Sequence, residues 1–354
     1  MSVVFAGNPD RQGEAGAYEL LMNPWARSAG LHTMNTSFIS GVEALRLNPA
    51  GLARVNQTEL ALANARYLVG TEITMNSFGI AQRTKSGAFG VSIMNVNFGD
   101  IPTTTADQPA GTGGTFSPSW SNIGLSYAHL FENKVSVGIT ARGVIESTAD
   151  VNATGLAIDA GVQYVSGEND EIKFGISLRN VGTPMTFRGQ GISLTRPAPN
   201  AEGEFDLTFF QRSQRFELPS VLNIGFSYDF LFKKQSNSIN DEGETRTSSD
   251  KGARLTVTGN FAANSFSRDQ IGAGVEFALN EMFMLRGAYR YEIGIGFGTS
   301  DSVDEAPLYT GPSAGVTVQV PTRKNSSSRF AIDYAYRVSK LFDGTHNIGV
   351  RLNL

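Results

Sequence analysis

From Lys134 onward the chain alternates apolar with small or polar residues for about ten positions, turns, and repeats the pattern. Val135, Val137, Ile139, Ala141, Gly143 and Ile145 share one face, and Ser136, Gly138, Thr140, Arg142, Val144 and Glu146 share the other. After a loop, Leu156, Ile158, Ala160, Val162 and Tyr164 alternate with Ala157, Asp159, Gly161, Gln163 and Val165. Successive side chains on a strand point to opposite faces, so period two over this length predicts long strands with one apolar side. A tilted strand needs about 9–11 residues to cross a bilayer.

The same reading along the chain predicts strands at 58–67, 71–84, 87–98, 119–131, 134–146, 154–166 and 171–180. A second set follows at 218–231, 252–263, 270–279, 282–291, 311–321, 328–338 and 345–354. The total is even, as a single-chain bacterial barrel requires. The short connectors 84–87, 132–134, 167–170 and 280–281 each join an even strand to the next odd one. The long loops 99–118, 181–217 and 292–310 each join an odd strand to the next even one. Short periplasmic turns and longer extracellular loops give that parity when the N-terminus is periplasmic. The polar connector 233–251 breaks it, being long on the periplasmic side.

Soluble sandwiches also alternate, but their strands average about 5–6 residues. The second face here carries Arg142, Glu146, Asp159, Lys173, Arg179, Asp229, Arg254, Glu276, Arg286, Asp333 and Arg337 among glycines and serines. That mixture suits a water-filled or salt-bridged lumen. Tyr164, Tyr228, Phe230, Tyr289, Tyr291, Tyr334 and Tyr336 gather near strand ends, where membrane-interface girdles sit. The fold class expected is all-β, a transmembrane antiparallel β-barrel of about 14 strands. On the closing strand Ile348, Val350, Leu352 and Leu354 should face lipid, with Asn347, Gly349, Arg351 and Asn353 inward.

Residues 15–56 differ from the rest. Ala15–Met22 suggests a short helical turn interrupted by Asn23-Pro24, and 41–46 a second piece that stops before Asn48-Pro49. Such a segment suits a plug for a barrel spanning 57–354. Asn48, Pro49 and Gly51 are expected to form a tight turn at the periplasmic mouth, with Pro49 fixing φ and Gly51 accepting a conformation closed to other residues. Residues 1–14 are expected to be a flexible N-terminus or signal remnant, because Ser2–Gly7 ends in small residues like a secretory cleavage site.

Composition narrows the chemistry. The 354 residues include no cysteine, so disulfides and thiolate metal sites are excluded. His32, His129 and His346 are far apart, the net charge of -4 gives nucleic acid no basic patch, and no apolar run is long enough for a transmembrane helix. A mean hydropathy of -0.15 accords with a barrel, in which only alternate residues meet lipid. No Gly-x-Ser-x-Gly elbow, His-Glu-x-x-His or Walker loop occurs, and Gly111–Gly114 lies in a long loop. The acidic pairs 241–242 and 304–305 read as solvated loop charges, with Asp301, Asp304 and Glu305 the weak candidates for a calcium loop. Neither an enzyme nor a cofactor is expected.

The run Leu20–Gly30, followed by Leu45-Arg46-Leu47-Asn48-Pro49-Ala50-Gly51-Leu52-Ala53, resembles the start of the PorV/PorQ family of Bacteroidota outer-membrane proteins. Its Asn-Pro-Ala-Gly-Leu-Ala element also resembles FadL-type transporters, whose 14-stranded fold that family is thought to share. The PorV/PorQ resemblance implies a part in type IX secretion and gliding motility. Its partners would be the C-terminal signal domains of secreted proteins and a SprA-type translocon barrel, within outer-membrane lipid. The FadL resemblance implies instead a plug-gated channel for hydrophobic molecules. A fatty-acid channel should line its lumen with apolar pockets, and the charged inward positions favour secretion over transport. Partner binding is then expected on the long loops, above all through Met185, Phe187, Phe205, Leu207, Phe209 and Phe210 in 181–217.

Overall fold

Alternating apolar residues commit the chain to strands whose greasy face needs a nonpolar surrounding, and whose unpaired edges need partners. Both demands are met by closure into a barrel. The computed structural model describes residues 8–132, 134–197, 205–239, 245–292, 310–322, 328–339 and 342–354. The first seven barrel strands are β1 (Thr58–Arg66), β2 (Thr74–Thr84), β3 (Gly87–Asn97), β4 (Ser119–Phe131), β5 (Val135–Thr148), β6 (Val151–Ser166) and β7 (Ile172–Gly182). The second seven are β8 (Val221–Ile239), β9 (Thr245–Asn264), β10 (Gln270–Leu279), β11 (Phe283–Glu292), β12 (Gly311–Pro321), β13 (Arg329–Arg337) and β14 (Thr345–Asn353).

Each strand pairs antiparallel with its neighbour, and β1 pairs with β14 from Glu59↔Asn353 to Arg66↔His346, closing the sheet. These described strands form the fourteen-stranded membrane barrel anticipated above. Leu62 on β1, Ile139 on β5 and Ile348 on β14 point outward and are exposed, whereas Ala63, Thr140 and Asn347 between them are buried. The alternation on β14 is the one expected: Ile348, Val350 and Leu352 point outward, and Asn347, Gly349 and Arg351 are buried.

The polar connector 233–251 leaves the count of fourteen intact. β8 and β9 continue their ladder from Lys233↔Lys251 to Ile239↔Thr245, past a register irregularity at Phe232/Lys233. Backbone pairing therefore extends the hairpin on the periplasmic side, and the parity of short and long connections is preserved. A polar stretch can extend the ladder because strand geometry needs only hydrogen-bonded partners, while apolar patterning is needed only at lipid depth. Extracellular loops carry two small ladders, Ile101–Pro102 with Thr115–Phe116 and Ser193–Pro197 with Asp206–Phe210. The candidate calcium loop at Asp301, Asp304 and Glu305 lies outside the described residues.

Residues 15–55 run inside the barrel. They contain only short helical pieces, among them Tyr18–Leu20, Ala26–Ala29, Gly41–Glu43, Ala44–Leu47 and Pro49–Arg54. The first predicted helix is thus a single 3-10 turn, because Ala17 and the Asn23-Pro24 break leave it no length. Leu20, Leu31, Met34, Ile39, Leu45 and Leu52 are all but fully buried, each contributing about 1.5–3 kcal/mol to docking. Trp25, Val42, Leu45 and Leu52 form one cluster with Ala61, Ala63 and Ala81 of the wall.

Candidate functional site

A segment with so little regular helix leaves many carbonyls without partners, and buried carbonyls need them. The wall supplies the donors. Gln163 Nε2 donates to Thr36 O and Ile39 O, both at 3.0 Å, and Asn347 Nδ2 donates to Pro24 O at 2.9 Å. Arg142 Nη2 donates to Leu45 O at 2.9 Å, and Arg179 Nη1 to Arg46 O at 3.1 Å. Within the plug, Arg46 Nε donates to Met22 O at 2.6 Å. Carboxylates serve the plug's amides: Glu43 Oε2 accepts from Ser28 N at 3.0 Å and Glu59 Oε1 from Val42 N at 2.8 Å.

Glycines on the wall and on the plug let the two approach this closely. A β-carbon at Gly138 would strike the Pro49 backbone, and one at Gly30 would lie 3.0 Å from Gly315 Cα on β12. The Asn48-Pro49-Ala50-Gly51 run closes a tight turn, with Gly51 N donating to Asn48 O at 3.0 Å. It is the capped start of the Pro49–Arg54 helix, with Asn48 Oδ1 accepting from Ala50 N at 3.2 Å, and it is buried against β5 and β6. Gly51 does not adopt positive φ. Its requirement is space, since a β-carbon would run into Ile39 O and lie 2.9 Å from Ala44 Cβ.

The inward charges mostly satisfy one another. Arg142 pairs with Asp159 at 2.9 Å, Arg286 with Glu276 at 2.5 Å and Arg351 with Asp333 at 2.7 Å. Arg254 bridges Glu276 at 2.9 Å and Glu281 at 2.8 Å, and Lys173 pairs with Asp229. The lumen is salt-bridged around a plug. Its polarity reflects how the plug is held, so it no longer counts against passage of apolar molecules.

Above the plug, toward the extracellular mouth, lies a chamber of about 240 Å³. Tyr18, Leu21, His32 and Leu47 of the plug form one side, and Arg179, Asn223, Phe266, Arg290, Glu292 and Arg337 belong to the wall. His32 and Thr33 are consecutive non-glycine residues in the left-handed region, at φ 51 and 62, a conformation that costs on the order of 1–3 kcal/mol each. Thr33 N donating to Ser28 O at 2.8 Å helps hold them. Burial, reinforced by Arg290 and Arg337, keeps the His32 imidazole well below its ordinary pKa and hence neutral. Burial, and then the Glu146 carboxylate beside it, push the Glu19 carboxyl up to about 8.

Charge is distributed unevenly along the axis. The periplasmic half mixes Lys173, Arg254, Arg286 and Arg351 with Asp229, Glu276, Glu281 and Asp333. The extracellular half gathers Arg46, Arg142, Arg179, Arg290 and Arg337 around Asp159, Glu146 and Glu292, with Glu19 protonated at neutral pH.

The loop residues expected to bind partners divide into two groups. Met185 is buried beneath the loop and packs with Leu20 and Leu218, while Phe187 lies against Phe216 at 5.4 Å between ring centres. Phe205, Leu207, Phe209 and Phe210 are exposed on and beside the outer hairpin, Phe210 by 68%. Sequence reasoning missed Gln163, Asn347, Glu43 and Glu59 as plug holders. The signal available was an amide or glycine recurring at inward positions.

No family profile matches the chain, and no curated protein matches it. Solved structures do. The Ralstonia pickettii toluene transporter TbuX superposes with a TM-score of 0.53 at 14% identity, covering 93% of this chain and 97% of that one. The Pseudomonas putida toluene transporter TodX gives 0.53 at 12%, covering 98% of each. A TodX deltaS2S3 mutant monoaromatic hydrocarbon channel gives 0.56 at 12%, covering 93% and 99%. The shared feature is the fold: this chain is a closed, fourteen-stranded antiparallel β-barrel of the architecture that these transporters and channels have.

Proposed function

We propose that this protein is a plug-gated outer-membrane channel for small hydrophobic or amphipathic molecules, admitted from the extracellular side. The observation that carries the reading is the chamber whose one side is the plug itself. A ligand seated there touches the gate, and the strained His32-Thr33 turn stands at the contact. The likeness to the toluene transporters TbuX and TodX supports the reading through shared architecture.

The absence of native cysteine makes a direct test available. The Ala26 β-carbon lies 3.6 Å from where a β-carbon would stand at Gly349, within disulfide range. In lipid vesicles, the Ala26→Cys/Gly349→Cys protein should pass toluene when reduced and at least tenfold more slowly when oxidised. Equal flux in both states, or none in either, sinks the proposal.

A second reading, engagement of C-terminal signal domains and of a SprA-type translocon barrel, draws support from the exposed ribbon bearing Leu207, Phe209 and Phe210. An isolated two-stranded ribbon is marginal in water, and its apolar side chains favour a protein partner. Deleting 201–212 should then abolish cargo retention while leaving the barrel folded. Full retention after deletion removes this reading.

A further inference from the structure

The outer wall of β1 to β4 carries a polar row on a face that is otherwise apolar. Asn64, Asn76, Asn95 and Ser121 stand directly opposite one another across the four strands, near their extracellular ends. The row continues into Ile348 on β14 and Ile145 on β5, so apolar residues bound it on both sides. All four side chains point away from the lumen, Asn64 and Asn76 exposed and Asn95 and Ser121 half-buried. Asn64 Nδ2 donates to Asn76 Oδ1 and Asn95 Nδ2 to Ser121 Oγ, both at 2.8 Å.

The rows above and below complete a gradient. Arg66 follows Asn64 outward on the same face of β1 and is exposed. Opposite it stands His346, whose ring centre lies 4.8 Å from that of Tyr336, in the kind of aromatic belt that marks a membrane interface. Beneath the asparagines come Leu62, Phe78 and Ile93, and then Leu60, Ile80 and Val91. Successive rows are about 7 Å apart, two residues of an antiparallel strand. Between these side chains lies an open groove of about 480 Å³, rimmed by Asn64, Asn76 and Asn95 and flanked by Phe78, Ile348 and Val350.

An amide turned toward hydrocarbon is costly unless it is hydrogen-bonded. Each asparagine offers two donor hydrogens and two acceptor lone pairs, more than the two bonds along the row use. A hollow of this kind suits a convex apolar chain. A second barrel related by a two-fold axis would bring an identical hollow to face it. The order cation, amide, hydrocarbon is also the order of a phosphorylated lipid from headgroup through linkage to acyl chain. An ester linkage only accepts hydrogen bonds, whereas a hydroxyacyl amide both donates and accepts, as asparagine does.

We propose that this wall binds one phosphorylated glycolipid with amide-linked hydroxyacyl chains, held in the extracellular leaflet. The phosphate meets Arg66, the amide and hydroxyl groups pair with the asparagine row, and an acyl chain lies in the groove against Phe78. The site faces lipid and stands independently of the channel reading.

The probe is lipid A, with dioleoylphosphatidylglycerol as the ester-linked comparison. Each is titrated into the detergent-purified full-length chain, and bound lipid is counted by native mass spectrometry. One lipid A per chain should bind at least tenfold more tightly than the phospholipid. Asn64→Leu/Asn76→Leu, which makes the row apolar, should weaken lipid A at least tenfold. Arg66→Gln should also weaken it at least tenfold, and this exposed strand-end change covers the case in which the double variant fails to fold. Gln82→Leu, outward at the periplasmic end of β2, should leave binding unchanged. Equal affinity for the two lipids, lipid A affinity unchanged in Arg66→Gln or in the folded double variant, or an equal loss in Gln82→Leu overturns the proposal. So does a dimer of chains in place of a lipid-bound monomer.

Discussion

Gly51 illustrates how a residue can be identified correctly for the wrong cause. In the sequence it looks like a turn glycine, valued for left-handed φ; in the structure its φ is ordinary and its missing β-carbon is what matters. The two causes make different predictions. Alanine at a position limited by φ strains only the backbone, whereas alanine here drives a methyl into Ile39 O and Ala44. Gly51→Ala should cost about 1–3 kcal/mol, the usual penalty for overpacking. It should appear as a lowered urea midpoint, and a midpoint equal to that of the unmodified protein would refute the packing explanation.

Among the elements, β14 gives the sharpest test of register. Val350 lies outward between Leu62 of β1 and Ile332 of β13, in the middle of the apolar run Ile348, Val350 and Leu352. A cation there meets hydrocarbon, so Val350→Arg should destabilise the barrel by roughly 2–4 kcal/mol. Folding equilibria in lipid vesicles measure this, and an unchanged equilibrium would mean that the strand is slipped by one residue. The ends of β8 and β9 teach the opposite lesson. Their hairpin persists where the apolar pattern has stopped, because ladder hydrogen bonds do not depend on side-chain polarity.

For the whole molecule, stability couples plug to barrel through pH. Glu19 is held protonated in the folded state up to about 8, against an ordinary 4.5, by burial and by Glu146. Below 4.5 the folded and unfolded chains both carry the proton, and the docking stability is complete. Between 4.5 and about 8 only the folded chain keeps it, so stability falls as pH rises through that window. Unfolding midpoints should therefore be higher at pH 5 than at pH 8, and Glu19→Gln should flatten the slope and raise the midpoint at pH 8. A slope that survives the substitution intact would place the titration elsewhere.

Much of this architecture follows from the order of residues alone. Period-two alternation specifies which side chains meet lipid, strand length specifies a membrane crossing, and connector parity specifies which ends face outward, because all three are local consequences of strand geometry. What the inward face does is not local. Whether Arg142 lines water, selects a ligand or holds Leu45 O depends on which segment fills the lumen, and Asn347 reaches its partner Pro24 across 323 positions of chain. The same holds for the chamber: Arg179, Asn223 and His32 come from β7, β8 and the plug, and only barrel closure around the plug brings them to the lining of one space. Alternation decides that a side chain points inward; the tertiary packing decides what it finds there.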